Sequence, residues 1–595
     1  MKFKELCSYF ERIEKTTLRL KITRILSELF ARLRQDEVQQ AVYILTGRLG
    51  PLYQKKEFGL AEKTVISSVC EALSLERAFF DKIYQKAGDI GLAVEEIKKK
   101  TTSLYSYNPD VKELYKDLEE IADLEGKGSL LSKKKRLGSL ICETDALSAK
   151  YLIRFVLGRL RLGFSDMTIL DGLSWSAKGD KSLRQILEKA YHVHPDLGWL
   201  AVLVKKGRFE EIKSAKPKVF IPIIMMKAER VSDIKEIFEK IGSCLIEPKY
   251  DGFRLQVHFQ KGKVRLFSRN LEDVSFMYPD ILDGVRSQVK AKEMIFEGEA
   301  IGFDPESESF LPFQDTVQRR RKYNIEKAIA RIPLKFFVFE LLYKDGESFI
   351  DAPFYKRREV LEKSLRAKGD VSEEVLIPTE LCEADNPVEA QSLFDRYISE
   401  GLEGIMAKKK DGIYKPAARE WNWIKFKRSY SGRLEDTIDA VVMGYYHGRG
   451  KRSGFGIGAF LVGVYDDQAD VFKTIARIGT GLTDDQWREM KELCDKFRSA
   501  KKPVVYQVDK QLYPDVWVKP ALVVEVRADE ITRSPVHTAG REVAPDDPNT
   551  KLGVAKSGFA LRFPRLERVR KDKRPEDATS LSELKKMFAY QFAKR

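Results

Sequence analysis

Glu247-Pro248-Lys249-Tyr250-Asp251-Gly252-Phe253-Arg254 is the stretch on which the reading of this chain turns. The apolar run Cys244-Leu245-Ile246 leads into it as a buried strand, and Lys249 stands where that strand ends. Asp251-Gly252 is a turn signal. A second strand pattern starts at once, with Phe253, Leu255, Val257 and Phe259 alternating against Arg254, Gln256 and His258. The pattern predicts that Lys249 is held between two strands of one sheet rather than on a mobile loop. Lys and Asp-Gly are also ordinary turn residues, so the stretch alone fits a plain hairpin equally well. The segments downstream separate the two readings.

A lysine nucleophile must be neutral. At an ordinary pKa of about 10.4, only about one lysine in two to three thousand is a free amine at neutral pH. Nearby cations or desolvation must lower that pKa, positive charge must stabilise a phosphate under attack, and a purine needs a stacking face and an edge contact. The chain offers a candidate for each. Ser268-Arg269-Asn270 places a guanidinium after a strand, and Phe296-Glu297-Gly298-Glu299-Ala300 puts two carboxylates on one strand face by period-two spacing. Lys335 to Glu340 is β-prone and aromatic, and Phe337 and Phe339 share one face, so periodicity does not choose between them. Glu403-Gly404-Ile405-Met406-Ala407-Lys408 adds a carboxylate. Trp423-Ile424-Lys425-Phe426-Lys427 sets two lysines opposite Ile424 and Phe426. No GxxxxGK[ST] phosphate loop occurs. Gly454-Phe455-Gly456-Ile457-Gly458 precedes no helix pattern, so it is not a dinucleotide loop.

The wider chain sets the frame. Its 595 residues are too many for one core and predict three or four domains. A formal net charge of +16, spread along the chain, predicts a polyanionic partner. The six isolated cysteines suggest neither a zinc module nor a disulfide framework, and so predict a reducing, cytoplasmic setting. No apolar run reaches membrane-spanning length, and no apolar signal segment opens the chain. Ser132-Lys133-Lys134-Lys135-Arg136 reads as a solvated loop beside a helix.

Residues 1–212 read as helical, with apolar spacing at Glu11 to Leu33, Val38 to Thr46, Leu60 to Leu73 and Ala149 to Leu162. Gly158-Arg159-Leu160-Arg161-Leu162-Gly163 is a basic loop in which glycine would let backbone amides approach a phosphate. A polar linker, Ser214 to Lys218, opens residues 213–428, where strands alternate with short helices in an α+β pattern. Residues 429–595 alternate strands with glycine turns, as in a small OB-type β-barrel. Gly448-Arg449-Gly450-Lys451-Arg452-Ser453-Gly454 is a basic loop suited to a phosphate backbone.

Glu247-x-Lys249-x-Asp251-Gly252-x-Arg254 resembles the KxDG motif of the covalent nucleotidyltransferases, and the later segments follow in that superfamily's order. Together with the Gly158–Gly163 loop, Gly91-Leu92-Ala93 and the basic segment Arg562 to Lys573, they resemble the three-domain ATP-dependent DNA ligases of archaeal and eukaryotic type. The resemblance implies a helical DNA-binding domain, an adenylation domain and an OB-fold domain. It implies that Lys249 takes up AMP from ATP, passes it to the 5′-phosphate of a nick in duplex DNA, and that a 3′-hydroxyl then displaces AMP. It implies catalytic roles for Lys249, Asp251, Lys425 and Lys427. Nucleotide contacts fall to Glu247 at the adenine edge, Phe339 on its face, and Arg254, Arg269, Glu299, Arg419, Lys425, Arg570 and Lys573. Metal contacts, to Mg2+ or Mn2+, fall to Glu299 and Glu403. DNA contacts fall to Gly158, Arg159, Arg161, Gly163, Arg449, Lys451 and Arg452. Replication, repair and recombination of DNA follow as roles for a monomer, with a sliding clamp as a candidate partner. An RNA ligase or capping guanylyltransferase shares the chemistry but leaves the helical region unexplained. A non-catalytic DNA clamp leaves the motif series unexplained.

Overall fold

The computed structural model describes residues 1–54, 56–100, 107–304, 309–311, 313–321, 325–366, 374–427, 437–448, 450–479, 482–543 and 554–593. The chain forms two compact units, Met1–Phe426 and Lys427–Arg595.

From Phe3 to Lys213 the described residues form helices and no strand. Each turns an apolar stripe inward: Phe3–Glu14 buries Phe3, Leu6, Cys7, Phe10 and Ile13 at three- and four-residue steps. The helix Ala146–Val156 lies at the centre and is buried on nearly every side. Three sequence expectations need correction. Glu11 to Leu33 is two helices, Phe3–Glu14 and Arg19–Arg32, because the Thr16-Thr17 pair and extended Leu18 interrupt the periodic run. The helix expected to reach Leu162 ends at Val156, and Gly158 turns the chain at φ +64°. Ser132 to Arg136 is the middle of helix Ser129–Glu143 and not a loop. Lys133 there is buried and donates to the carbonyls of Phe58 and Ala122.

The rest of the first unit is built on two sheets. Its strands are β1 (Lys227–Arg230), β2 (Cys244–Lys249), β3 (Phe253–Gln260), β4 (Lys263–Ser268), β5 (Glu293–Asp304) and β6 (Ser309–Phe310). They continue with β7 (Leu334–Lys344), β8 (Glu347–Ser348), β9 (Leu376–Pro378), β10 (Cys382–Ala384), β11 (Gly404–Lys409) and β12 (Arg419–Lys427). One sheet runs β1-β12-β11-β2-β10. The other runs β4-β3-β5-β7-β8, with β6 beside β5 and β9 beside β7. Their facing sides share apolar cores, in which Ile246, Ile405 and Ile424 of the first meet Ile301 and Phe337 of the second. Helices Pro279–Gln288 and Phe354–Lys363 cover the far side of the second sheet.

This topology corrects the hairpin expectation. β2 and β3 belong to different sheets, so Lys249 to Phe253 is a crossover between two sheets rather than a turn within one. A Cβ at Gly252 would stand 2.1 Å from the Ala300 carbonyl oxygen, so the crossover passes where only glycine fits. The β3 stripe Arg254, Gln256, His258 is covered as well: Gln256 and His258 have no exposed surface.

The second unit is mostly β. Its main strands are Ile438–Tyr446, Ala459–Asp466, Val471–Ile478, Val523–Arg527 and Arg565–Val569. Helix Asp484–Lys496 buries Trp487, Met490 and Cys494 against the core that these strands enclose.

Candidate active site

The crossover opens into a cavity of about 460 Å³ between the two sheets, a size that suits a nucleotide-sized ligand. Its lining includes Glu247, Lys249, Arg254, Arg269, Glu299, Phe339, Arg419 and Lys425. Eight side chains singled out from the sequence therefore meet at one place, although they are spread over five strands and a turn.

Backbone pairing brings Glu403 to Lys249. β11 runs antiparallel to β2, Gly404 lies opposite Lys249, and the Glu403 N–H donates to the Lys249 carbonyl at 3.0 Å. The Glu403 carboxylate then stands 2.7 Å from Lys249 Nζ. Burial lowers the Lys249 pKa, but the charges of Glu403, Glu299 and Asp251 outweigh it and hold the ammonium above its ordinary range. The direction is opposite to what nucleophilic attack requires. Glu299 shows the other side of the crowding. Burial, helped by the charges of Glu403 and Asp251, pushes its carboxyl up to about 7 against the pull of Lys249 and Arg254.

The inner end of the cavity is a buried charged cluster. Glu247 is 2% exposed. It takes an ion pair from Lys408 at 2.7 Å and another from Arg358 at 3.4 Å. Burial still raises its pKa despite both cations. Lys408 also donates to the Phe339 carbonyl and sits over the rings of Phe354, Trp423 and Phe339. Phe339 and Met406 line the space beside it. The structure separates the two aromatic candidates: Phe337 is 3% exposed and stacked on Tyr250 at 3.9 Å, inside the core. Glu340 is not part of the cavity lining and forms a buried two-point pair with Arg357, at 2.7 and 2.9 Å.

Arg254 forms part of the cavity wall. It pairs with buried Glu297, donates to the Met226 carbonyl at 2.8 Å, and lies over Phe339 and Trp423. The two carboxylates of β5 thus differ: Glu297 is committed to Arg254, and Glu299 faces the Lys249 cluster. Arg269 and Arg419 are exposed members of the lining, and Lys425 is half-buried.

Other candidates lie elsewhere. Asp251 and Glu403 act on Lys249 but are not in the cavity lining, and Lys427 ends β12 at the start of the second unit. Gly158, Arg161 and Gly163 all have positive φ, at +64°, +59° and +74°. Arg161 is held by Asp89 at 2.9 Å, and Arg159 is exposed with Glu62 at 3.5 Å. In the second unit, Arg452 donates to the Gly458 and Gly479 carbonyls and covers Trp487. Arg570 and Lys573 both pair with Asp439. Lys451 lies in the short helix Gly450–Phe455, and Arg449 falls outside the described residues.

The sequence reading assigned no role to Lys408, Arg358, Tyr414 or Arg320. Lys408 and Arg320 line the cavity, Arg358 holds Glu247, and Tyr414 donates to Glu297. Lys408 carried a signal, since it closes the quoted Glu403 segment on a strand that the pattern buries. Tyr414 and Arg358 carried none.

Among the described residues, no three His, Cys, Asp or Glu side chains form a metal cage. Glu299 and Glu403 nonetheless both bring hard oxygen donors to the Lys249 amine, and burial together with the charge of Glu403 and Asp251 raises Glu299. That pair fits a magnesium-type ion, which commonly takes one or two carboxylates and completes its shell with substrate phosphates and water.

Comparison with known proteins matches the same regions. Residues 225–427 match the family described as ATP dependent DNA ligase domain, residues 2–174 DNA ligase N terminus, and residues 453–573 ATP dependent DNA ligase C terminal region. A "Probable DNA ligase" of Dictyoglomus thermophilum is 45% identical over 593 residues, covering 99% of this chain and 98% of that protein. A "DNA ligase" of Saccharolobus solfataricus is 37% identical over 611 residues, covering 100% and 98%. Among solved structures, one described as "Pmar-Lig_Pre." aligns with a TM-score of 0.55 at 18% identity, over 96% of this chain and 99% of that one, which speaks to the fold.

Proposed function

The chain belongs to the ATP-dependent DNA ligase family, and on that premise we propose that the cavity at Lys249 is its nucleotide pocket. Lys249 attacks the α-phosphorus of ATP. An N–P bond forms, the α–β P–O bond breaks, the amine gives up a proton and pyrophosphate leaves. An oxygen of the nick's 5′-phosphate then takes the AMP from Lys249, and the adjacent 3′-hydroxyl attacks that 5′-phosphorus to release AMP and seal the strand. The observation that carries the reading is the lysine's placement: a buried strand end, in a nucleotide-sized cavity, with an aromatic face and seven further cationic side chains in the lining.

Phe339 and Met406 provide the faces for adenine, and Glu247 its polar edge. Glu247 is an acceptor held rigidly by Lys408 and Arg358, which suits the exocyclic amine of adenine better than a carbonyl at the same position. Arg254, Arg269, Arg419, Lys425 and Lys427 hold phosphates, and Arg570 and Lys573 orient the pyrophosphate. Bound with the ATP phosphates, Mg2+ or Mn2+ supplies positive charge at the reacting phosphorus, and Glu299 and Glu403 are the side chains that would hold it. Lys249 stays charged only while Glu403, Glu299 and Asp251 serve it; contacts that draw these carboxylates away leave burial in control and favour the free amine.

The domains are 1–212, which with Gly158, Arg159, Arg161 and Gly163 holds the duplex; 213–428, which carries the pocket; and 429–595, an OB-type barrel with Arg449, Lys451 and Arg452 toward DNA. The matched ranges and the polar linker support these limits. The protein works on nicked duplex as a monomer in the cytoplasm, with a sliding clamp as its candidate partner. No helix of the described residues is long and apolar enough to cross a membrane.

Intact-mass measurement after mixing with ATP and magnesium, without DNA, tests the pocket. We expect a gain of one adenylate in the wild type and none in Lys249→Ala. A wild type that neither gains adenylate nor releases AMP on pyrophosphate treatment rules the reading out.

A further inference from the structure

β3 carries Arg254, Gln256 and His258 at alternate positions, the spacing of a stripe that faces solvent. The segment 219–226, which joins the helical region to the sheets, covers that stripe through a continuous set of hydrogen bonds. Phe220 N–H donates to His258 Nδ1 at 3.0 Å. Ile223 N–H donates to Gln256 Oε1 at 2.7 Å, and Gln256 Nε2 donates back to the Ile223 carbonyl at 3.0 Å. Arg254 Nη1 donates to the Met226 carbonyl, and Met226 N–H donates to the Tyr414 hydroxyl at 2.9 Å. Burial holds His258 neutral, with its pKa down at about 3, which suits an acceptor at Nδ1.

These bonds converge on one carboxylate. Glu297 has no exposed surface and accepts from Arg254 Nη2, from Gln256 Nε2 at 3.0 Å and from the Tyr414 hydroxyl at 3.1 Å. Tyr414 therefore accepts from the joining segment and, more distantly at 3.5 Å, from Arg254 Nη2 itself, and donates to the acid that holds Arg254. Arg254 in turn lines the cavity, and its Nε is buried with no hydrogen-bond partner among the described residues. A buried, unsatisfied guanidinium donor in a ligand cavity calls for an acceptor on the ligand, a ribose hydroxyl or a phosphate oxygen.

We propose that Tyr414 is a positioning residue for the nucleotide step: acting through Glu297, it fixes Arg254 in the cavity wall and references it to the segment that carries the helical region. The proposal rests on the reading of this cavity as the nucleotide pocket. Tyr414 touches no substrate. Its hydroxyl supplies the direction in which Glu297 presents its oxygens, and Glu297 sets the guanidinium plane between Phe339 and Trp423. Without the hydroxyl, the Met226 N–H loses its acceptor and Glu297 loses a donor, so Arg254 samples more than one geometry and the nucleotide must select one of them.

Tyr414→Phe tests this, because it keeps the ring that packs edge-on against Trp423 at 5.7 Å and deletes only the hydroxyl. Single-turnover charging of Lys249, followed by intact mass, should show half-saturation shifted to about tenfold more ATP. Sealing of a pre-adenylated nick, which bypasses ATP binding, should keep the wild-type rate. In an Arg254→Ala background the same substitution should add nothing, because its effect runs through Arg254. Unchanged ATP dependence, additive losses in the double variant, or an equal loss in sealing each overturns the proposal. Wild-type protein run alongside separates the two levels: absent charging there defeats the nucleotide reading itself, whereas normal charging with additive losses defeats only the role of Tyr414.

Discussion

Two buried charge clusters in the first unit behave in opposite ways. In the helical region, Glu14 accepts from Lys150, Tyr151 and Arg154, and Asp89 receives Arg154 and Arg161. Every acid there has cations at hydrogen-bond distance, and although burial opposes it, that pairing holds Glu14 below its ordinary pKa. Around Lys249 the balance is reversed. Three carboxylates act on one ammonium, and burial with its neighbours' charge leaves Glu299 up at about 7. The first cluster is satisfied and holds a shape: Asp89 caps the helix Ile90–Lys99 and fixes Arg161 at the turn of the Gly158–Gly163 loop. The second is short of positive charge by itself: Lys249 faces Glu403, Glu299 and Asp251 together. Perturbed titration thus marks the reactive centre, whereas dense pairing marks the frame.

The contrast can be broken first at its satisfied side. Arg154→Met removes the buried cation shared by Glu14 and Asp89, leaving Glu14 to Lys150 and Asp89 to Arg161, and we expect a loss of about 1.5–3 kcal/mol in unfolding free energy. Urea unfolding measures it. A loss below about 1 kcal/mol would mean that the network is ornamental to stability.

A pH series on Glu299→Gln sharpens the other side. The folded Glu299 carboxyl titrates near 7, above the ordinary 4.5. The folded state therefore holds a proton that the unfolded chain has already lost, and wild-type stability falls as pH rises from the ordinary value through 7. The variant lacks that component, so its melting temperature relative to wild type, without nucleotide or metal, should climb across this window and level off above it. A difference that stays flat with pH would place the Glu299 titration outside the window. Metal at saturation should shrink the fall in wild type and with it the relative climb of the variant, since it rewards the ionised form.

The smallest effect belongs to the exposed member of the loop. Arg159 is open to solvent and its partner Glu62 is distant, so Arg159→Ala should change stability by less than about 0.5 kcal/mol. Binding to nicked duplex should weaken, with the slope of log affinity against log salt reduced by about 1. An unchanged salt slope would remove Arg159 from the DNA contacts.

Much of the pocket was legible because its chemistry needs residue types that occur in short strings. Lys249 with Asp251-Gly252, the paired glutamates of β5 and the lysine pair of β12 are each local, and period two assigns their faces. The partners of those residues were not legible. Arg358 reaches Glu247 across 111 positions and Tyr414 reaches Glu297 across 117, and no local pattern encodes a contact of that range. The cover over the β3 stripe was illegible in the same way. Polar residues at alternate positions normally mean solvent, but here a neighbouring segment supplies their hydrogen bonds and buries them.

The sequence by itself determined the helical, mixed and β-rich regions, the choice of Lys249 as the candidate nucleophile and the strings that accompany it, because periodicity and motif chemistry act over a few residues. Tertiary structure alone decided that Lys249 ends one sheet while Phe253 begins another, that Phe339 and not Phe337 faces the cavity, and that the lysine is held charged by three acids. Strand pairing and the electrostatics of burial depend on which distant segments come together, and that information is spread over the whole chain rather than written in any stretch of it.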